Sequence, residues 1–178
     1  MPRSNAKKPG KTGDLHGSAP DQCRVALLII DMINAFDFDG AEAMLPRALA
    51  AAKATAGLKL RARKAGVPVV YVNDNFGRWR SDFRSTLAHC LREGVRGRPI
   101  AAILKPDEDD YFVLKPKHSG FQFTAHDAYM RDYHLVVPGD CIASQTEADD
   151  AYALAHMAKV TKADTRPSSE VDFSALQK

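Results

Sequence analysis

Apolar positions along the chain fall into two patterns, short unbroken runs and longer stretches with helical spacing. Val25-Ala26-Leu27-Leu28-Ile29-Ile30-Asp31 is an unbroken run ending in a carboxylate, which predicts a strand buried on both faces, as in parallel sheets. Residues 41–64 carry a helical pattern, with Leu45, Leu49, Ala52, Ala56, Leu58 and Leu60 among the apolar positions, and Gly66 closes it. Residues 67–72 form a second buried run, ending in Asn73-Asp74-Asn75. Helical segments are expected at 82–92 and 100–104, a third strand at 111–115 and a short helix at 124–131. A fourth strand is expected at 134–137. Ser144-Gln145-Thr146-Glu147 reads as a capping box opening a helix to about Met157, and 159–162 reads as a last short strand.

Strands alternating with helices predict an α/β fold, with a mostly parallel, Rossmann-like sheet between helical layers in a three-layer αβα sandwich. Ligand sites in such sheets lie beyond the carboxyl ends of the strands. The polar residues there are Asp31, Asn73, Asp74, Lys115, Asp140 and Cys141.

Composition narrows the function classes. The chain has 178 residues, 45% hydrophobic and 26% charged, which suits one soluble domain. The net charge is +3, and much of the excess lies in Arg3, Lys7, Lys8 and Lys11. Residues 1–20 are read as a disordered basic leader and 21–178 as a single domain. Nucleic acid is not expected as a partner, because the folded part shows no basic stripe. No apolar run suits a signal peptide or a membrane span, so the expected setting is the cytoplasm. Cys23, Cys90 and Cys141 form no CxxC pair, and neither a zinc site nor a disulfide framework is expected.

On position alone, Asp31 serves equally as a general base in a partly desolvated pocket or as a cap for the next segment. Lys115 can stabilise developing negative charge beside a carboxylate, or be a solvated strand-end lysine. Phe36, Trp79 and Phe121 are candidate pocket walls, with core packing as the alternative for the two phenylalanines. Arg78, Arg80 and Arg84 can meet an acidic substrate or form an exposed basic turn. Asn73, Asp74 and Asn75 offer oxygen ligands, but His118, His126 and His134 are spaced by eight residues and suit no helical metal pair, so no metal and no cofactor are expected.

Three segments in order resemble the isochorismatase-like cysteine hydrolase family. Residues 28–36 match its opening strand, Asp and Phe. Residues 113–121 match its Lys followed four residues later by Ser and then Phe, and residues 70–79 resemble a subgroup signature at the same pocket, including Asn73 and Trp79. The resemblance implies a hydrolase of a small amide, vinyl ether or similar molecule, and a homo-oligomer. It makes Asp31 the base and Lys115 the polarising cation of an Asp-Lys-Cys triad, with the thiolate attacking a carbonyl-type carbon.

The nucleophile is the departure from that pattern. Thr124-Ala125-His126-Asp127-Ala128 matches the family's segment after its Cys, and the Cys would fall at position 120, which is Gly120. Two motifs normally separated by a helix, a strand and a loop are fused near Gln122, a loss of roughly two dozen residues. In the family the lost strand lies beside the first strand, so five strands are expected instead of six, with 134–137 a candidate to close the gap. Catalytic competence is thereby in doubt, and the alternative is a degenerate binding or structural protein. A rival register makes Cys141, after the fourth strand and near a helix start, the nucleophile.

Overall fold

The computed structural model describes residues 23–75 and 82–178. The basic leader expected at 1–20, and Arg78, Trp79 and Arg80, lie outside the described residues.

The buried runs form a parallel three-stranded sheet in the order β1 (Leu27–Ile30), β2 (Val69–Asp74), β3 (Tyr111–Lys115). Leu27 is level with Val69, and Asp74 with Lys115, so all three strands end at one edge of the sheet. Between β1 and β2 runs α1 (Ala41–Lys64), with the predicted bounds; Gly66 follows it at φ +71°, in the left-handed region that glycine enters without strain. The face of α1 that packs inward carries Ala48, Ala51, Ala52, Leu58 and Ala62, whereas Leu60, expected among the apolar positions, is 56% exposed. These small side chains let the helix lie close on Ile29, Val69 and Tyr71 of the sheet.

Two short helices, α2 (Phe83–Cys90) and α3 (Arg98–Ile103), complete the crossover to β3. Asp82 caps α2 by accepting from the Ser85 amide at 2.7 Å. The entry to β3 is clamped from α1. Lys59 Nζ lies 2.7 Å from Asp110 and donates to the Tyr71 hydroxyl at 3.1 Å, while Arg63 reaches Asp110 at 2.6 Å. Because the Lys59 ammonium and the Asp110 carboxylate are both removed from water, each needs the other, and the pair fixes where β3 begins.

Beyond β3 the architecture departs from the expected five strands. Helix α4 (Gly120–Tyr129) starts four residues before its predicted start, so the Ser-Gly-Phe and Thr-Ala-x-Asp-Ala pieces share one helix. Residues 134–137 do not pair with β1. Their ordered contact is a single parallel bridge, Val136 with Asp164, in which Asp164 donates to Leu135 at 2.9 Å and Val137 donates to Asp164 at 2.8 Å. The strand expected at 159–162 is absent: Lys159 and Val160 belong to α5 (Glu147–Val160) and Thr161 caps it. The capping box at its start is also two residues from its expected position, joining Thr146 and Asp149. A last turn, α6 (Phe173–Leu176), packs Phe173 onto the main core.

The sheet is therefore split. Among the described residues, one part is β1, β2 and β3, the other is the lone bridge at Val136, and β1 is an edge strand. Leu27 donates to Pro68, just ahead of β2, and Asp31 to Val72 of β2, so the alternating groups of Leu28 and Ile30 point to the open edge.

Candidate functional site

The three strand ends and the loop after β3 bring five polar side chains together. Asp31 follows β1 at φ +55°, a left-handed conformation that aspartate tolerates better than most residues. Its amide donates to Val72 at 2.8 Å, and its Oδ1 accepts from the Asp74 amide at 3.2 Å. Lys115, at the end of β3, donates from Nζ to Asp31 Oδ2 at 2.6 Å; both side chains are largely buried. Next along the chain, His118 sets Nδ1 3.4 Å from Asp31 Oδ2 and 3.8 Å from Asp74 Oδ2, and Ser119 Oγ is 3.4 Å from the same ammonium.

The loop after Asp31 is held from two sides. Asn73 is fully buried, gives its side-chain amide to the Ile33 carbonyl at 2.7 Å and accepts from the Ile33 amide at 3.4 Å. Expected in the pocket, it is instead engaged beneath the loop. From the other side, Arg96 donates to the Phe36 carbonyl at 2.7 Å and the Gly97 amide to the Ala35 carbonyl at 3.0 Å. A Cβ on Gly97 would stand 1.8 Å from the Asn34 carbonyl oxygen, so this approach requires glycine. Together these contacts hold Phe36 at φ +55°, an uncommon conformation for a bulky residue.

A cavity of about 1260 Å³ opens at these residues and continues along the free edge of β1. Asp31, Asp74, His118, Phe36 and Phe121 line one end; Leu27, Leu28, Ile29 and Ile30 form one wall, and 134–138 stand opposite. Small-molecule pockets measure about 300–1,000 Å³. The excess here is the space between the two parts of the sheet, where a further strand would complete it.

Cys141 lines the cavity in the turn Gly139–Cys141, ahead of the bend that precedes α5 and not at its first turn. Its Sγ is 3.8 Å from Asp140 Oδ1, and burial raises its thiol above the ordinary range. A thiol kept protonated is a poor nucleophile. Gly120 occupies the position expected for the family's Cys; it stands at φ +61° at the start of α4, lines the cavity, and carries no thiol.

The sequence pointed to Asp31, Lys115, Phe36 and Phe121; Asp31, Phe36 and Phe121 line the cavity, and Lys115 stands behind Asp31 at 2.6 Å without lining it. Trp79 lies outside the described residues. His118 was weighed only for metal spacing; the signal for it was its place three residues after Lys115 in a turn that returns the chain to the strand ends. Among the described residues, no three His, Cys, Asp or Glu side chains gather as a metal site, and no helix is long and apolar enough to cross a membrane.

Comparison with known proteins places these features in a family. Residues 25–124 match the model of the isochorismatase domain. The chain is 33% identical over 174 residues to the uncharacterized isochorismatase family protein YaaI of Bacillus subtilis, covering 82% of this chain and 95% of that protein. Since 82% of this chain is about 146 residues, about 28 positions of that alignment have no counterpart here. The fold resembles N-carbamoylsarcosine amidase from Thermoplasma acidophilum (TM-score 0.61, 22% identity, covering 83% of this chain and 98% of that one). It also resembles an isochorismatase family protein from Desulfovibrio vulgaris (TM-score 0.60, 24% identity, 81% and 94%) and a pyrazinamidase/nicotinamidase from Streptococcus mutans (TM-score 0.56, 21% identity, 79% and 98%).

Proposed function

Because the chain belongs to the isochorismatase family, we propose that it is a hydrolase-type protein whose cavity takes a small amide, vinyl ether or similar molecule, and whose chemistry runs through Asp31 without a cysteine thiolate. The observation that carries this reading is the 2.6 Å pair of Asp31, which lines the cavity, and Lys115. For an amide, Asp31 takes a proton from water as the water oxygen bonds to the carbonyl carbon. Lys115 lies beside the negative charge that develops on the carbonyl oxygen. The carbon–nitrogen bond then breaks, and the proton held by Asp31 passes to the leaving nitrogen. The name of the amidase among the solved structures of this fold supports an amide as the class to try first.

The family's covalent route needs a thiolate. The family match stops at Thr124, two residues past Gln122, and the alignment to the Bacillus protein leaves about 28 positions unfilled. Both support the loss of the segment that would carry the nucleophile. The same observations favour a second reading, a binding protein that keeps the pocket and performs no turnover. A homo-oligomer in the cytoplasm is part of the first reading, and sedimentation velocity checks its oligomeric half.

A panel of small amides and vinyl ethers, assayed with the wild-type protein, Asp31→Asn and Cys141→Ala, separates the readings. The hydrolase reading expects turnover that Asp31→Asn abolishes and Cys141→Ala leaves intact. Binding without turnover in all three proteins supports the second reading. Turnover lost in Cys141→Ala would overturn the thiol-free mechanism.

A further inference from the structure

Asp74, the last residue of β2, lines the cavity but is absent from the Asp-Lys pair that the family pattern singles out. It is 5% exposed, and its Oδ1 is buried with no hydrogen-bond partner. Its neighbour Asp31 differs on this point, because both oxygens of Asp31 are engaged, one by the Asp74 amide and one by Lys115. Buried polar atoms are nearly always satisfied, and among the described residues nothing satisfies this one, on a residue that lines the cavity.

We propose that Asp74 is a ligand-contacting residue of this cavity, its carboxyl donating a hydrogen bond to the carbonyl-type oxygen of a neutral small molecule. This rests on the proposed function only in taking the cavity as the ligand site; it requires no turnover. The charged and titratable groups facing Asp74 are Asp31 from the end of β1, Lys115 from the end of β3, and His118 from the loop that follows. Burial, and then the charge of Asp31, raise the Asp74 carboxyl above its ordinary range, while His118 and Lys115 oppose that shift. The proton is thereby retained more readily on Asp74, and a protonated carboxyl has an O–H to donate. The selection follows from this pair. An anionic ligand would meet two carboxyl groups across the strand ends. A neutral amide oxygen would meet one donor, with the Asp31–Lys115 pair beside it.

Linkage makes the inference measurable without catalysis. A ligand that accepts from the protonated form raises the pKa of Asp74; one that donates to the ionised form lowers it. The test follows the side-chain carboxyl carbon of Asp74 by NMR, assigned by its disappearance in Asp74→Asn, with and without saturating benzamide. His118→Gln, titrated in parallel, removes the nearby imidazole as a source of the signal. The expected midpoint lies above the ordinary aspartate value of about 3.9, and benzamide moves it up by about half a pH unit, or about threefold tighter binding to the protonated form, in both proteins. A midpoint at or below the ordinary value, or one that benzamide leaves unchanged or lowers, overturns the assignment. Loss of hydrolysis in Asp31→Asn bears on the hydrolase reading alone, so the two can fail separately.

Discussion

Lys115 and Asp31 stand 84 positions apart in sequence, and their side chains meet at 2.6 Å across the ends of β3 and β1. Neither strand touches the other, since β2 lies between them. The pair therefore spans the sheet above the end of β2, and it holds only while all three strands keep their register. Lys115→Met leaves a largely buried carboxylate without its cation. The expected loss is about 3 kcal/mol of stability, and the Asp31→Asn/Lys115→Met double variant should lose clearly less. Urea unfolding of these two variants and of Asp31→Asn alone checks this; a double-variant loss equal to the sum of the two single losses would mean that the pair carries no coupling.

Gly97 has a different role from the other glycines. A Cβ there would stand 1.8 Å from the Asn34 carbonyl oxygen, a backbone atom in the loop that presents Phe36. Gly97→Ala should cost about 2 kcal/mol and displace that loop. Gly57, inside α1 with the nearest atom 3.8 Å from its would-be Cβ, is the control, and Gly57→Ala should stabilise by about 0.5–1 kcal/mol. Thermal unfolding of both variants measures the contrast.

The β1 run and α1 were legible from local pattern, an unbroken apolar run and helical spacing closed by Gly66, whereas the Asp31–Lys115 pair was legible only through the resemblance of the segments around it, since each residue alone fits a cap or a solvated strand end equally well. Residues 134–137 are as apolar as a strand, but a strand also needs a paired neighbour, and among the described residues they meet only the single bridge to Asp164. Asn73 was legible as a polar strand end, yet its partner, Ile33, is 40 residues away and could be seen only in three dimensions. Gly97 gave no sequence signal, because its requirement comes from Asn34, 63 positions earlier.

The three cysteines should differ in reactivity in the order Cys23, Cys141, Cys90. Cys23 is exposed, Cys141 is partly buried with its thiol raised, and burial pushes Cys90 up to about 11. Iodoacetamide labelling followed by mass spectrometry reads the order. Cys90 also sets a pH dependence. Its folded pKa stands above that of an unfolded thiol, so its contribution is fully present below pH 9 and is lost as pH rises to about 11, amounting to about 2–3 kcal/mol. Cys90→Ala should flatten that decline.

The free edge of β1 makes self-association a hazard. Leu28 is 41% exposed and its backbone groups face the cavity side. A charged residue on an edge strand discourages pairing with another chain. Leu28→Lys should reduce light scattering by concentrated protein while costing no more than about 1 kcal/mol of stability. Unchanged scattering would mean that association uses another surface.

The central claim is that, among the described residues, the sheet is open beside β1, the place where the lost segment with the nucleophile is expected. Amide hydrogen exchange at consecutive β1 residues tests it most directly. Leu27 and Asp31 donate on the β2 side, and alternation gives Ile29 the same direction, whereas Leu28 and Ile30 face the gap. The split sheet predicts slow exchange at Leu27, Ile29 and Asp31 and exchange at least about tenfold faster at Leu28 and Ile30. Equal protection at all five amides would contradict it, since a strand would then be paired to β1 on its far side.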